Sequence, residues 1–182
     1  MRYIAFLRAI NVGKRQVKMT RLRELFVDLG YGDVRTYIQT GNVFFEAPTT
    51  DRAALERAIE RHLLDALGFV VTTIVRTVAE VAAVLASDPF AGIAVTPDTR
   101  LCCLFTSAPL PADLALPVIV EQRDFTLTIV ASSPDAVFAV IQQVPGKVGN
   151  AIAFIEKTYK VRATARFFHT MQKLVAAAQG DS

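Results

Sequence analysis

The period of the apolar positions changes repeatedly along the first part of the chain. Tyr3 to Ile10 is apolar at nearly every position, which predicts a strand needing cover on both faces. A polar stretch follows, Asn11 to Lys18, and apolar residues then return at Leu22, Leu25, Phe26 and Leu29. That i, i+3, i+4, i+7 spacing predicts a helix, and Gly30 stands where a left-handed C-terminal cap is wanted. Val34 to Gln39 and Val43 to Glu46 are rich in strand formers and are split by Thr40-Gly41-Asn42, a tight-turn sequence. Thr49-Thr50-Asp51 offers capping oxygens to a second helix with a stripe of Leu55, Ile59, Leu63 and Leu67, ended by Gly68. Val70 to Val75 reads as a fourth strand.

The element order is thus β-α-β-β-α-β, a ferredoxin-like arrangement with an expected sheet order of 4-1-3-2. Val78 to Ala86 predicts a short helix, and the turn-rich stretch from Ser87 through Gly92 to Thr96-Pro97-Asp98 makes a domain boundary. The expectation is α+β throughout. A ferredoxin-like unit with its linking helix spans 1–86, and a second, smaller α+β unit packed on it spans 97–182. In that second unit Arg100 to Phe105 and Val118 to Glu121 read as strands. Phe125 to Ala131 and Ala136 to Gln142 read as a hairpin. Helices are expected over Val148 to Tyr159 and from Thr164, as N-cap, to Ala178.

This topology brings two distant segments together. The turn between the second and third strands should lie at the sheet edge where the first strand ends, beside Asn11-Val12-Gly13-Lys14-Arg15. The first helix begins at the same edge, so its N-terminal amides join the charges of Arg8, Lys14, Arg15 and Lys18. With Asn11, Gly13, Gln39, Thr40, Gly41 and Asn42 these residues form a candidate site for an anion such as phosphate or carboxylate. The alternative is that Asn11, Gln39 and Asn42 hydrogen-bond the loop backbones while the cations are solvated.

Charge supports the first reading only locally. The chain carries +3 overall; residues 1–37 hold eight Arg or Lys against three acidic residues, or +5, leaving −2 for the remainder. That imbalance is too small to mark the whole protein as a nucleic-acid binder. Phe6, Phe44 and Phe45 sit on strands that an RNA-binding sheet would use, but the basic-Gly-aromatic signature is missing and a core role is expected for them. Cys102 and Cys103 are adjacent and would face opposite sides of a strand, one thiol in the core and one more exposed, with no disulfide or thiolate metal site. No metal and no cofactor is called for. His62 reads as half-buried and structural, and His169 as a surface or interface histidine that could line a pocket with Arg166. Pro145-Gly146-Lys147-Val148-Gly149-Asn150 lacks the residues of a Walker A loop, leaving Lys147 as a second, weaker anion contact. No G-x-S-x-G occurs. The opening residues reach a charge too soon for a secretory segment and no apolar run spans a membrane, so a cytoplasmic protein is expected.

Three blocks resemble a known family: Arg8-Ala9-Ile10-Asn11-Val12-Gly13, then Val17-Lys18-Met19 with Leu22 and Leu29-Gly30, then Tyr37-Ile38-Gln39-Thr40-Gly41-Asn42-Val43. Residues and spacing are similar to those of the family catalogued as domain of unknown function 1697. A Gly usually follows the first Arg there, where this chain has Ala9. The family tends to open its last helix with Arg-Asn-Trp-Asn-Thr, of which Arg166-Phe167-Phe168-His169-Thr170 keeps the first and last residues. The resemblance implies a fold, a cytoplasmic and mostly bacterial setting and recurring loops, but no catalytic residues. Three readings stay open: a binding protein for a small anionic ligand, an enzyme acting on such a ligand with Arg166 or His169 completing the site, and an interaction module or homodimer.

Overall fold

The computed structural model describes residues 1–13, 15–38, 41–147 and 150–179. The chain divides into two compact units, one comprising Met1–Val81 with the residues from Leu174 onward, the other Ala82–Lys173.

The first unit contains β1 (Arg2–Leu7), α1 (Met19–Asp28), β2 (Gly32–Tyr37), β3 (Asn42–Glu46), α2 (Arg52–Leu67), β4 (Thr73–Thr77) and the start of α3 (Val78–Ala86). Its sheet has the order β2-β3-β1-β4, with every neighbouring pair antiparallel. One face carries the core: Tyr3, Ala5 and Leu7 of β1 pack with Leu22, Leu25 and Phe26 of α1 and with Leu55, Ile59 and Leu63 of α2. Phe45 is the hub, its ring within 5.4 Å of Tyr3, 5.5 Å of Phe26 and 4.8 Å of Tyr31. Phe6 and Phe44, at 0% and 5% exposure, are buried on the other face, so none of the three rings offers a base-stacking platform. Asp51 caps α2 by accepting from the Ala54 amide at 2.9 Å, and Gly68 ends it in the left-handed conformation. β4 begins at Thr73 rather than Val70, which is 65% exposed.

β4 is an edge strand, and its outward amides are claimed by carboxylates. Glu60 accepts from Thr73 N at 2.8 Å, Glu56 from Val75 N at 2.9 Å and Glu80 from Thr77 N at 2.7 Å. The geometry is natural: four helical residues rise about 6 Å, close to two strand residues, so Glu56 and Glu60 match alternate amides. An edge so occupied cannot pair with another strand.

The second unit holds β5 (Thr99–Thr106), β6 (Val118–Glu121), β7 (Phe125–Ser132), β8 (Val137–Gln143), α4 (Ala151–Tyr159) and β9 (Ala163–Phe167), with the first part of α5 (Phe168–Gln179). The sheet order is β6-β7-β8-β5-β9, again wholly antiparallel. Leu104, Leu127, Ile129, Ala139 and Ile155 belong to the core on one face. Phe90 meets Phe138 and Phe168 edge-on at 6.1 and 5.0 Å on the other.

Three sequence expectations need correction here. The stretch from Thr164 is not a helix start: Ala163–Phe167 is a strand paired with β5 from Thr106↔Ala163 to Cys102↔Phe167, and the helix begins only at Phe168. Local propensity gave way to a free strand edge. Glu156 of α4 then accepts from Ala163 N at 3.0 Å, repeating the device seen on β4. The α4 helix starts at Ala151, capped by Asn150, rather than at Val148, which lies outside the described residues. Finally, both Cys102 and Cys103 are buried, at 2% and 0%, because β5 lies between β8 and β9 in a sheet with both faces covered. Burial pushes both thiols up to about 12.

Candidate functional site

The hairpin turn meets the chain at and just after the end of β1, ahead of the Asn11–Arg15 loop. Leu7 N donates to Gly41 O at 2.8 Å, and a Cβ placed on Gly41 would lie 2.8 Å from Ile10 Cγ2 and 3.0 Å from Leu7 O. Only glycine fits there, and its φ of +76° is one that side chains resist. Strain gathers at the same edge: Ala9 and the β-branched Ile38 also have positive φ, at 55° and 49°.

Below this junction, at the start of α1, lies a concavity of about 330 Å³ lined by Asn11, Gly13, Arg15, Gln16, Val17, Lys18 and Met19. Asn11 shapes it. Its Oδ1 accepts from Val17 N at 2.6 Å and its Nδ2 donates to Val17 O at 3.3 Å, clamping the loop across six residues. Arg15 lies with its guanidinium 4.5 Å from the centre of the Phe69 ring, a cation–π contact that holds an exposed cation in place. Lys18 is exposed and occupies the N-cap of α1 without a capping side-chain bond, and the first turn contains no acidic residue. Helix amides, Arg15 and Lys18 therefore all add positive potential at this end of α1.

The other expected contributors are distributed differently. Arg8 is half-buried, with its amide bound to Thr72 O at 2.9 Å, and stands outside the pocket lining. Asn42 is fully buried and its Nδ2 donates to Tyr37 O at 3.3 Å, which makes it a brace of the hairpin. Lys14, Gln39 and Thr40 lie outside the described residues. Lys147 is exposed in the turn after β8, its amide bound to Val144 O. Arg166 Nη1 donates to Thr164 Oγ1 and Ala165 O at 3.0 and 2.8 Å, and burial lowers its guanidinium to about 10, leaving it protonated at neutral pH. His169 stacks on Phe167 with ring centroids 5.7 Å apart. His62 is half-buried, with its Nε2 3.9 Å from Asp28 Oδ2. Gln16, which carried no sequence signal beyond lying in the same loop, and Met19, the first residue of α1, also line the pocket.

Among the described residues no group of three or more His, Cys, Asp or Glu is placed to hold a metal ion. No helix among them is long and apolar enough to cross a membrane.

A family model described as "Protein of unknown function (DUF1697)" matches residues 1–126, which include both loops and the pocket. The chain belongs to this family. Among solved structures it is similar to the conserved bacterial protein SP0830 of Streptococcus pneumoniae, with a TM-score of 0.65 and 22% identity over 98% of each chain. That likeness shows a shared fold over essentially the whole length. No curated protein matches the chain.

Proposed function

We propose that the first unit binds a small ligand through an anionic group, phosphate or carboxylate, at the pocket between Asn11 and Met19. The observation that carries this reading is the presence of Arg15 and Lys18 in the lining of a concavity of about 330 Å³ at a helix start with no acidic residue in its first turn. Asn11 and Asn42 serve as its frame, holding the loop and the hairpin so that the backbone presents Gly13 and the first turn of α1. The order β2-β3-β1-β4, read from its other edge, supports a ferredoxin-like assignment of this unit. Two reduced thiols without a disulfide support a cytoplasmic setting.

A thermal-shift panel of inorganic phosphate, sugar phosphates and nucleotides tests the reading. A ligand at a hundred times its Kd stabilises by about 2.7 kcal/mol. Such a shift is expected for the wild type and should shrink by more than half in an Arg15→Ala/Lys18→Ala variant. Equal shifts in both proteins, or none in either, overturn the proposal.

A further inference from the structure

A second concavity, built wholly from the second unit, has a different chemistry. Its volume of about 510 Å³ falls within the range of roughly 300–1,000 Å³ common for small-molecule sites. Pro97 and Leu101 contribute an apolar wall, and the end of β9 with the first turns of α5 supplies the facing side. There Phe167 is 45% exposed and lies nearly parallel to His169, at 18° between ring planes. Two rings so stacked leave an outer face against which a third ring can extend the stack.

The polar groups are few and placed. Arg100 is pinned to the wall by two bonds from Nη1, to Pro97 O at 2.6 Å and to Thr99 O at 2.9 Å. Its Nε and Nη2 donate to nothing among the described residues, and the same holds for the exposed amide of Gln172, one turn after His169 on the same helix face. No acidic side chain is among the described residues of the lining. An aromatic stack, a dry wall, a fixed cation and a spare amide together select a planar ring that carries an anion.

We propose that this pocket binds a small aromatic carboxylate of one or two rings, its ring extending the Phe167–His169 stack and its carboxylate held by Arg100 and Gln172. The site shares no lining residue with the pocket at α1.

Binding of 2-naphthoate and of its neutral counterpart 2-naphthamide to the full chain, followed by saturation-transfer NMR and calorimetry, decides the matter. The wild type should bind naphthoate with Kd at or below ~1 mM. It should prefer naphthoate over naphthamide by roughly tenfold, as expected when a charge-assisted bond is lost. Phe167→Ala, at an exposed strand end, should weaken both ligands about tenfold, and Arg100→Gln should abolish the preference for the acid. Gln172→Ala, on the exposed helix face, should weaken naphthoate and guards against loss of folding as the cause. Arg15→Ala/Lys18→Ala should change nothing. The proposal is overturned if no saturation transfer reaches naphthoate, or if Phe167→Ala leaves its affinity intact. It is equally overturned if the Phe167 change alters only the oligomeric state, which would mark a contact between copies instead.

Discussion

Substituting Gly41 by alanine tests the junction on which the candidate site rests. The added methyl meets two penalties. One is conformational: at φ +76° an L side chain costs about 1–2 kcal/mol. The other is steric, because the methyl would sit 2.8 Å from Ile10 Cγ2, 3.0 Å from Leu7 O and 3.1 Å from Leu7 Cβ. Ile10 and Leu7 are each only 1% exposed, so neither can swing aside, and overpacking of this kind costs a further ~1–3 kcal/mol. The total is about 2–5 kcal/mol. Gly68 supplies the control, since it has the same φ of +76° and no atom within 4 Å of the added methyl, so Gly68→Ala should cost only the conformational ~1–2 kcal/mol. Urea unfolding followed by circular dichroism measures both. Gly41→Ala should exceed Gly68→Ala by at least ~1 kcal/mol. It should also weaken anion binding at the α1 pocket, because Gly41 O anchors Leu7 N at 2.8 Å and thereby the loop that follows. Equal costs for the two variants would falsify the claim that the hairpin turn is locked at Gly41 to the chain ending β1.

Other consequences can be measured directly. Ala9 carries a left-handed φ of 55°, so Ala9→Gly should raise stability by about 0.5–1 kcal/mol after the unfolded-state entropy is counted; a lower melting temperature would contradict this. Removing a carboxylate from the β4 edge with Glu56→Ala leaves Val75 N buried without this acceptor and should cost about 1–3 kcal/mol. The Glu56→Ala/Glu60→Ala protein should in addition self-associate in sedimentation, where a strictly monomeric result would show that the edge is protected by other means. The thiols give a pH signature. Both are raised from 9.0 to about 12 by burial, so above pH 9 the unfolded state loses protons that the folded state keeps. Their contribution is therefore fully present below pH 9 and is lost as pH rises toward 12, at up to ~2.7 kcal/mol per pH unit for the pair. The difference in urea midpoint between pH 8 and pH 10 should be smaller in a Cys102→Ala/Cys103→Ala protein, and an unchanged difference would refute the assignment.

What was legible from residue order alone is local and periodic. The stripe from Leu22 to Leu29 and the stripe from Leu55 to Leu67 announce their helices, Asp51 and Gly68 mark the ends of the second, and the Gly41 turn announces a hairpin. Each of these signals acts within a few residues, where backbone geometry and side-chain spacing are set by the chain itself. The basic character of the loop before α1 was legible for the same reason.

The remaining features depend on partners distant in sequence. Ala163–Phe167 became a strand because β5 presented an unpaired edge, a fact no window around Thr164 contains. Cys103 is buried along with Cys102 because β5 is an interior strand, and a strand's alternation does not say how many of its faces are covered. Residue order left Asn11 and Asn42 open between ligand contact and loop brace; assembled, one clamps Val17 and the other braces Tyr37 from a fully buried position. Glu56, Glu60, Glu80 and Glu156 read as ordinary surface acids until the strands beside them are in place, when their carboxylates occupy edge amides. Phe167 and Arg100, separated by 67 positions, line one pocket only because β5 and β9 pair. Periodicity encodes which face of an element seeks burial, whereas pairing partners and local dielectric are properties of the assembled chain, and those are what turn the loop at α1 and the stack at Phe167 into sites.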